Sequence, residues 1–251
     1  MRVFAVANQK GGVGKTTTVI NLGAYLGELG HRVLLVDCDP QSNTTRSITA
    51  SSPTGPNLYD VLVDEATISS AIVATSTPGV DLLPASPDLA GSEVELMNVS
   101  TRERTLKKKL SDLGNKYHYL LLDCPPSLGL LTINALVAAQ SVIVPVQCEY
   151  LALEGVSRLL DTINRIRSNL NPNLRIFGLV MTMYDRRTSL SGEVAREVRR
   201  HYPELTFQTV IPRNVRLSEA PSFGVPISEY DPHSLGAQAY SSLALEVANR
   251  V

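Results

Sequence analysis

The stretch Lys10-Gly-Gly-Val-Gly-Lys-Thr-Thr17 constrains this chain more than any other. It follows an apolar run at residues 2–7 that reads as a buried strand, and it precedes a pattern at 16–29 that reads as a helix closed by Gly30. Glycines between a strand and a helix let the backbone curl so that successive N–H groups face a phosphate, and the helix N-terminus adds a favourable dipole. Gly11, Gly12, Val13 and Gly14 supply that curl, and Thr17 continues it into the helix. Lys15 is placed to reach the outer phosphates of a nucleotide, and the Thr16 hydroxyl to ligate Mg²⁺. A dinucleotide-binding turn is the competing reading of Gly12-x-Gly14, but it has no use for Lys15-Thr16. Lys10 is not needed to close the loop, so it is a solvated side chain unless an anion meets it.

Beyond the loop, apolar strand-like runs alternate with helical patterns. Strands are expected at residues 32–36, 79–83, 117–123, 141–146, 174–181 and 207–211. Helices are expected at 58–63, 93–111, 130–139, 155–168, 191–201 and 234–249, with a loop or partly ordered helix across 41–57. Uniformly apolar strands between helices imply an α/β fold of three layers, a mostly parallel twisted sheet covered on both faces. Such sheets bind ligands at the carboxyl ends of their strands, where Gly11, Asp37 and Asp123 fall. The chain has 251 residues, within reach of a single domain, and no Pro/Gly/Ser-rich linker divides it.

Asp123 ends one apolar run and suits a carboxylate that holds a metal-bound water. Asp37 and Asp39 end another, with Pro40 fixing the turn. One of this pair would support Mg²⁺ while the other orients an attacking water; the alternative, purely structural carboxylates, requires each to be capped or exposed. Near the C-terminus, Ile211-Pro-Arg-Asn-Val-Arg216 follows a strand, and Pro212 offers a flat apolar edge to a purine. Residues 158–216 carry eleven Arg and no Lys against five Asp/Glu, although the whole chain has a formal net charge of −1. Arg186, Arg187, Arg213 and Arg216, with Arg196, Arg199 and Arg200, form a field suited to a polyanion or merely to water. No helix-turn-helix or zinc finger accompanies them, so any DNA would be held without sequence preference.

Cys38, Cys124 and Cys148 are too few and too widely spaced for a disulfide framework, and read as small buried hydrophobes. The four histidines do not suggest a zinc site. The N-terminus lacks a cationic leader, and the apolar runs are far shorter than the ~20 residues of a membrane span. A cytoplasmic protein without a membrane partner is the expectation.

The segments Ala7-Asn-Gln-Lys-Gly-Gly-Val-Gly-Lys-Thr-Thr-Thr18, Val33-Leu-Leu-Val-Asp-Cys-Asp-Pro-Gln41, Leu121-Leu-Asp-Cys-Pro-Pro-Ser127, Val144-Pro-Val-Gln-Cys-Glu-Tyr150 and Ile211-Pro-Arg-Asn-Val-Arg-Leu-Ser-Glu-Ala-Pro-Ser-Phe-Gly224 closely resemble the ParA/Soj family of chromosome- and plasmid-partitioning ATPases, of the deviant Walker A superfamily. The resemblance implies an enzyme that hydrolyses ATP with Mg²⁺ and pairs into a homodimer when ATP binds, Lys10 crossing to the partner's phosphates. It implies that Lys15 holds the β- and γ-phosphates, Thr16 the metal and Asp39 the hydrolytic water. Asp37 and Asp123 become supporting carboxylates, and the loop of Pro212 and Asn214 contacts adenine. Arg213 above all is implied to hold non-specific double-stranded DNA, on the nucleoid, until a ParB/Spo0J-like partner stimulates hydrolysis. The chain starts at its first strand, and without an N-terminal helix-turn-helix extension operator binding is not expected. Two rivals in the superfamily fit less well: a MinD-like ATPase calls for a basic amphipathic C-terminus, and a nitrogenase-iron-protein-like reductase for a cluster-bridging cysteine pair. An ATP-gated positioning scaffold that never binds DNA would share the loop and the dimer.

Overall fold

Strands whose two faces are both covered have no polar positions to spare, and the runs at 33–36 and 119–122 carry none that is charged. The computed structural model describes residues 1–49, 51, 53–150 and 152–250. Its eight-stranded sheet comprises β1 (Arg2–Val6), β2 (Val33–Asp37), β3 (Val73–Ala74), β4 (Val80–Leu83), β5 (Tyr119–Asp123), β6 (Ser141–Gln147), β7 (Arg175–Tyr184) and β8 (Thr206–Pro212), in the order β3-β4-β2-β5-β1-β6-β7-β8. All pairings are parallel except that of β3 with β4.

The period-two alternation of each strand sorts its side chains into two cores. Phe4, Val6, Val33, Leu35, Tyr119 and Leu121 pack with helices Lys15–Glu28 and Leu235–Arg250. Val3, Ala5, Leu34, Val36, Leu120 and Leu122 face the other way, onto helices Leu130–Ala138, Ala152–Asn169 and Ser189–His201. The result is the three-layer, mostly parallel architecture expected from the sequence. Register matters for the site: Val6 and Asp37 both sit opposite Asp123, so three strand ends lie at one level.

One expectation changes. The single helix anticipated over 93–111 is broken into Ser92–Glu95, short 3₁₀ turns at Leu96–Asn98 and Arg102–Arg104, and Thr105–Ser111. Val99 is extended after the first turn, and Asn134 Oδ1 accepts from the Leu106 N–H at 3.0 Å, so a neighbouring helix stabilises the restart. The segment 41–57, read as loop or partial helix, contains the helix Asn43–Ile48. The three cysteines are buried and free, each just past the end of a strand. No helix among the described residues is long and apolar enough to cross a membrane.

Helix Lys15–Glu28 lies close to the turn before β4: a Cβ on Gly27 would stand 2.5 Å from the Pro78 carbonyl oxygen. Gly27→Val is therefore expected to cost about 1–3 kcal/mol, read as a lower urea midpoint at an unchanged slope.

Candidate nucleotide and metal site

The loop from β1 to helix Lys15–Glu28 holds Gly12 and Gly14 at φ 75° and 89°, the left-handed region where a side chain is strained. Asn8 fixes its entry, with Nδ2 donating to the Pro145 carbonyl at 2.7 Å and Oδ1 accepting from Lys10 N–H at 3.0 Å. Thr182 Oγ1 donates to the Val13 carbonyl at 2.9 Å, tying the loop to β7. Among the described residues no protein acceptor takes the N–H of Gly11, Gly12, Val13 or Gly14. That leaves a row of donors at a helix N-terminus, which is what an anion requires.

Lys15 is buried, and its ammonium donates to the Lys10 carbonyl at 3.2 Å. Burial pulls its pKa down, and the nearby Asp123 carboxylate opposes the shift. Lys10 is half exposed and ion-pairs with Glu149, just beyond β6.

The three aspartates converge. Asp123 and Asp37 are buried side by side at the ends of β5 and β2. Asp123 Oδ2 accepts from Thr16 Oγ1 and from Thr44 Oγ1, both at 2.7 Å. Asp37 Oδ2 accepts from Thr45 N–H at 2.8 Å and Thr45 Oγ1 at 2.7 Å, while Oδ1 accepts from Asp39 N–H at 3.2 Å. Burial raises the pKa of both carboxyls; the Asp123 charge adds to the effect on Asp37, and the threonine donors oppose it in each. Asp39, beyond β2, accepts from Gln41 N–H at 2.9 Å, and the turn closes through Ser42 at φ 55°.

Asp123 Oδ1 is buried and has no protein partner. An unpaired carboxylate oxygen is costly to bury, and here it belongs to the acid that holds the Thr16 hydroxyl. This donor set fits Mg²⁺, which prefers oxygen ligands, keeps several waters and takes few protein ligands. Among the described residues no group of three or more His, Cys, Asp or Glu forms a protein cage for a metal.

Beyond the carboxyl ends of β7 and β8, at one lateral edge of the sheet, Pro212 and Arg213 line a groove with Arg186 and Arg187, and with Arg196 and Arg199 of helix Ser189–His201. Arg187 grips Asp185 through two bonds, 2.9 and 2.7 Å, and holds that carboxyl down at about 2. Arg186, Arg196 and Arg213 make no ion pair among the described residues. Arg216 stands outside the groove, paired with Glu219 at 2.9 Å and Asp231 at 3.5 Å. Asn214 Oδ1 accepts from Arg216 N–H at 2.8 Å. A recess beside Thr16 and Thr17 is closed by Leu217, Ala220 and Val225, from the segment after Asn214.

The comparisons with known proteins agree with this geometry. Residues 1–176 match a model described as an AAA domain. The chain is 52% identical to the chromosome partitioning protein ParA of Caulobacter vibrioides, over 100% of this chain and 95% of that one. It is also 52% identical to the sporulation initiation inhibitor protein Soj of Bacillus subtilis, over 98% of each chain. The chain belongs to the ParA/Soj family. Among solved structures it is similar to a cobyrinic acid a,c-diamide synthase from Mycobacterium smegmatis with bound ATP analog and magnesium, at 43% identity and a TM-score of 0.84, over 97% of this chain and 93% of that one. As a ParA/Soj member it is a partitioning-type ATPase, with ATP and Mg²⁺ as cofactors.

Several side chains that organise this ParA/Soj site carry no motif signal. Thr44 and Thr45 lie in a stretch that reads only as Ser/Thr-rich, and Glu149 is distant in sequence from Lys10. Asn21 joins the loop helix to the C-terminal segment, donating to the Thr17 carbonyl and accepting from Ile227 N–H, both at 2.7 Å. A polar residue set between the buried Ile20 and Leu22 is the one clue it offered. Thr45 Oγ1 also accepts from Ala85 N–H at 3.0 Å. Thr45→Val removes a donor from Asp37 and an acceptor from Ala85, and a loss of about 1–3 kcal/mol is expected by urea unfolding, with Thr45→Ser recovering most of it.

Proposed function

We propose that this chain is the nucleotide switch of a DNA-partitioning cycle. ATP joins two copies into a sandwich, the pair holds double-stranded DNA without sequence preference, and hydrolysis stimulated by a ParB/Spo0J-like centromere-binding partner releases it. The site of action is then the nucleoid. The observation that carries the DNA step is the groove where Arg186, Arg187, Arg196, Arg199 and Arg213 converge from three elements. Guanidinium groups gathered in one groove suit phosphate oxygens, which position a duplex but convey no sequence. Arg216 flanks this surface, and its use requires exchange of Glu219 and Asp231 for phosphate.

The chemistry follows from the loop. Residues 11–17 wrap the phosphates with backbone N–H groups, and Lys15 neutralises the β- and γ-phosphates. The desolvation that depresses the lysine's pKa is offset when a polyanion arrives. Thr16 holds the metal, with Asp37 and Asp123 behind it. Mg²⁺, when bound with the nucleotide, would supply neutralisation of the phosphate charge. Asp39, buried in the turn beyond β2, orients the attacking water. Lys10 exchanges Glu149 for the phosphates of the second copy. Pro212, Asn214 and the segment after them face the purine.

Two experiments test this reading. An Asp39→Ala variant with ATP should retain DNA on a filter in a salt-sensitive manner. Adding Arg213→Glu should lower retention and reduce the slope of log affinity against log salt by about 1; an unchanged slope rejects Arg213. No ATP-dependent retention at all would favour the positioning scaffold. In light scattering, Lys10→Ala with ATP should remain a monomer, and a stable dimer would refute the crossing role.

A further inference from the structure

Two hydroxyls share one oxygen of Asp123. Thr16 Oγ1, from the phosphate loop, and Thr44 Oγ1, from the helix Asn43–Ile48, each donate to Oδ2 at 2.7 Å. A carboxylate oxygen offers two lone pairs in its plane, so Oδ2 is saturated and the carboxylate cannot rotate without breaking a bond. The other oxygen, Oδ1, is buried and without a protein partner. Thr44 is itself fully buried, and its neighbour Thr45 is fixed to Asp37 by two bonds at 2.8 and 2.7 Å. The Thr44 hydroxyl is thus held from both directions and has no solvent to turn to.

We propose that Thr44 is a positioning residue for the metal–nucleotide complex. By occupying Oδ2 beside Thr16, it selects Oδ1 as the oxygen of Asp123 that meets the hydration shell of Mg²⁺. The proton of Thr16 goes to the same Oδ2, which turns the lone pairs of that hydroxyl away from Asp123 and towards the nucleotide side. Without Thr44, Asp123 has one donor on Oδ2 and is free to swing either oxygen towards the metal. The inference rests on the reading that Asp123 and Thr16 serve Mg²⁺. It adds a residue from outside the phosphate loop, and ties metal affinity to the helix that follows the Asp39 turn.

Calorimetric titration of Mg²⁺ into the protein saturated with ADP tests it, alongside ADP binding in EDTA. Thr44→Val, which keeps the shape and removes the hydroxyl, should weaken Mg²⁺ binding by about tenfold, with metal-free ADP binding unchanged. Thr44→Ser should restore the parent value, and Thr44→Ala provides a second hydroxyl deletion should valine perturb folding, which circular dichroism reports. If Thr44→Val and Thr44→Ala both bind Mg²⁺ as the parent does, the role of Thr44 is overturned. Equal weakening of metal-free ADP binding would also overturn it, because that indicates general damage to the loop. Asp123→Asn separates the two levels. If it weakens Mg²⁺ binding while the Thr44 variants do not, only this proposal fails; if it too leaves Mg²⁺ binding unchanged, the underlying metal reading fails.

Discussion

Two carboxylates buried next to each other at the ends of parallel strands are the constraint around which this molecule is arranged. Asp37 and Asp123 are register partners with almost no solvent access, and such a pair persists only if donors surround it. Those donors come from Thr16 at the end of the phosphate loop, from Asp39 in the turn after β2, and from Thr44 and Thr45 in the helix Asn43–Ile48. Satisfying the acids therefore folds these segments towards the same point. The left-handed turn at Ser42, which costs a non-glycine residue on the order of 1–2 kcal/mol, is sustained by that network.

The remainder of the surface divides between two functions at the carboxyl edge. Near β1 and β6, Lys10 and Glu149 neutralise each other across the mouth of the phosphate loop. Near β7 and β8, arginines collect without matching carboxylates except Asp185. The parallel sheet joins them: Thr182 on β7 bonds the Val13 carbonyl, so the strand leading to Arg186 also touches the phosphate loop.

Much of this was legible in the sequence. Gly11–Thr17 sits between a strand and a helix, and only one kind of ligand explains glycines followed by Lys-Thr. Uniformly apolar strands announced two covered faces, and aspartates at their ends announced the ligand edge. What escaped is what depends on contacts between distant residues. Nothing local to Thr44 reveals that Asp123 lies within hydrogen-bond reach, and nothing near Lys10 points to Glu149. The arginine excess was visible as composition, but its convergence needed β7, helix Ser189–His201 and β8 in place, and it left Arg216 outside. The break in residues 93–111 had the same origin: Asn134, from another helix, supplies the acceptor that lets the chain stop and restart.

The level alignment of Val6, Asp37 and Asp123 carries an evolutionary consequence. In a strand, each residue adds about 3.3 Å and turns the next side chain to the opposite face. One residue inserted in β5 would carry Asp123 past the Thr16 hydroxyl, and one in β2 would carry Asp37 past that of Thr45, each onto the face of the other core. The lengths of these strands are thus as heritable as the identities of their acids.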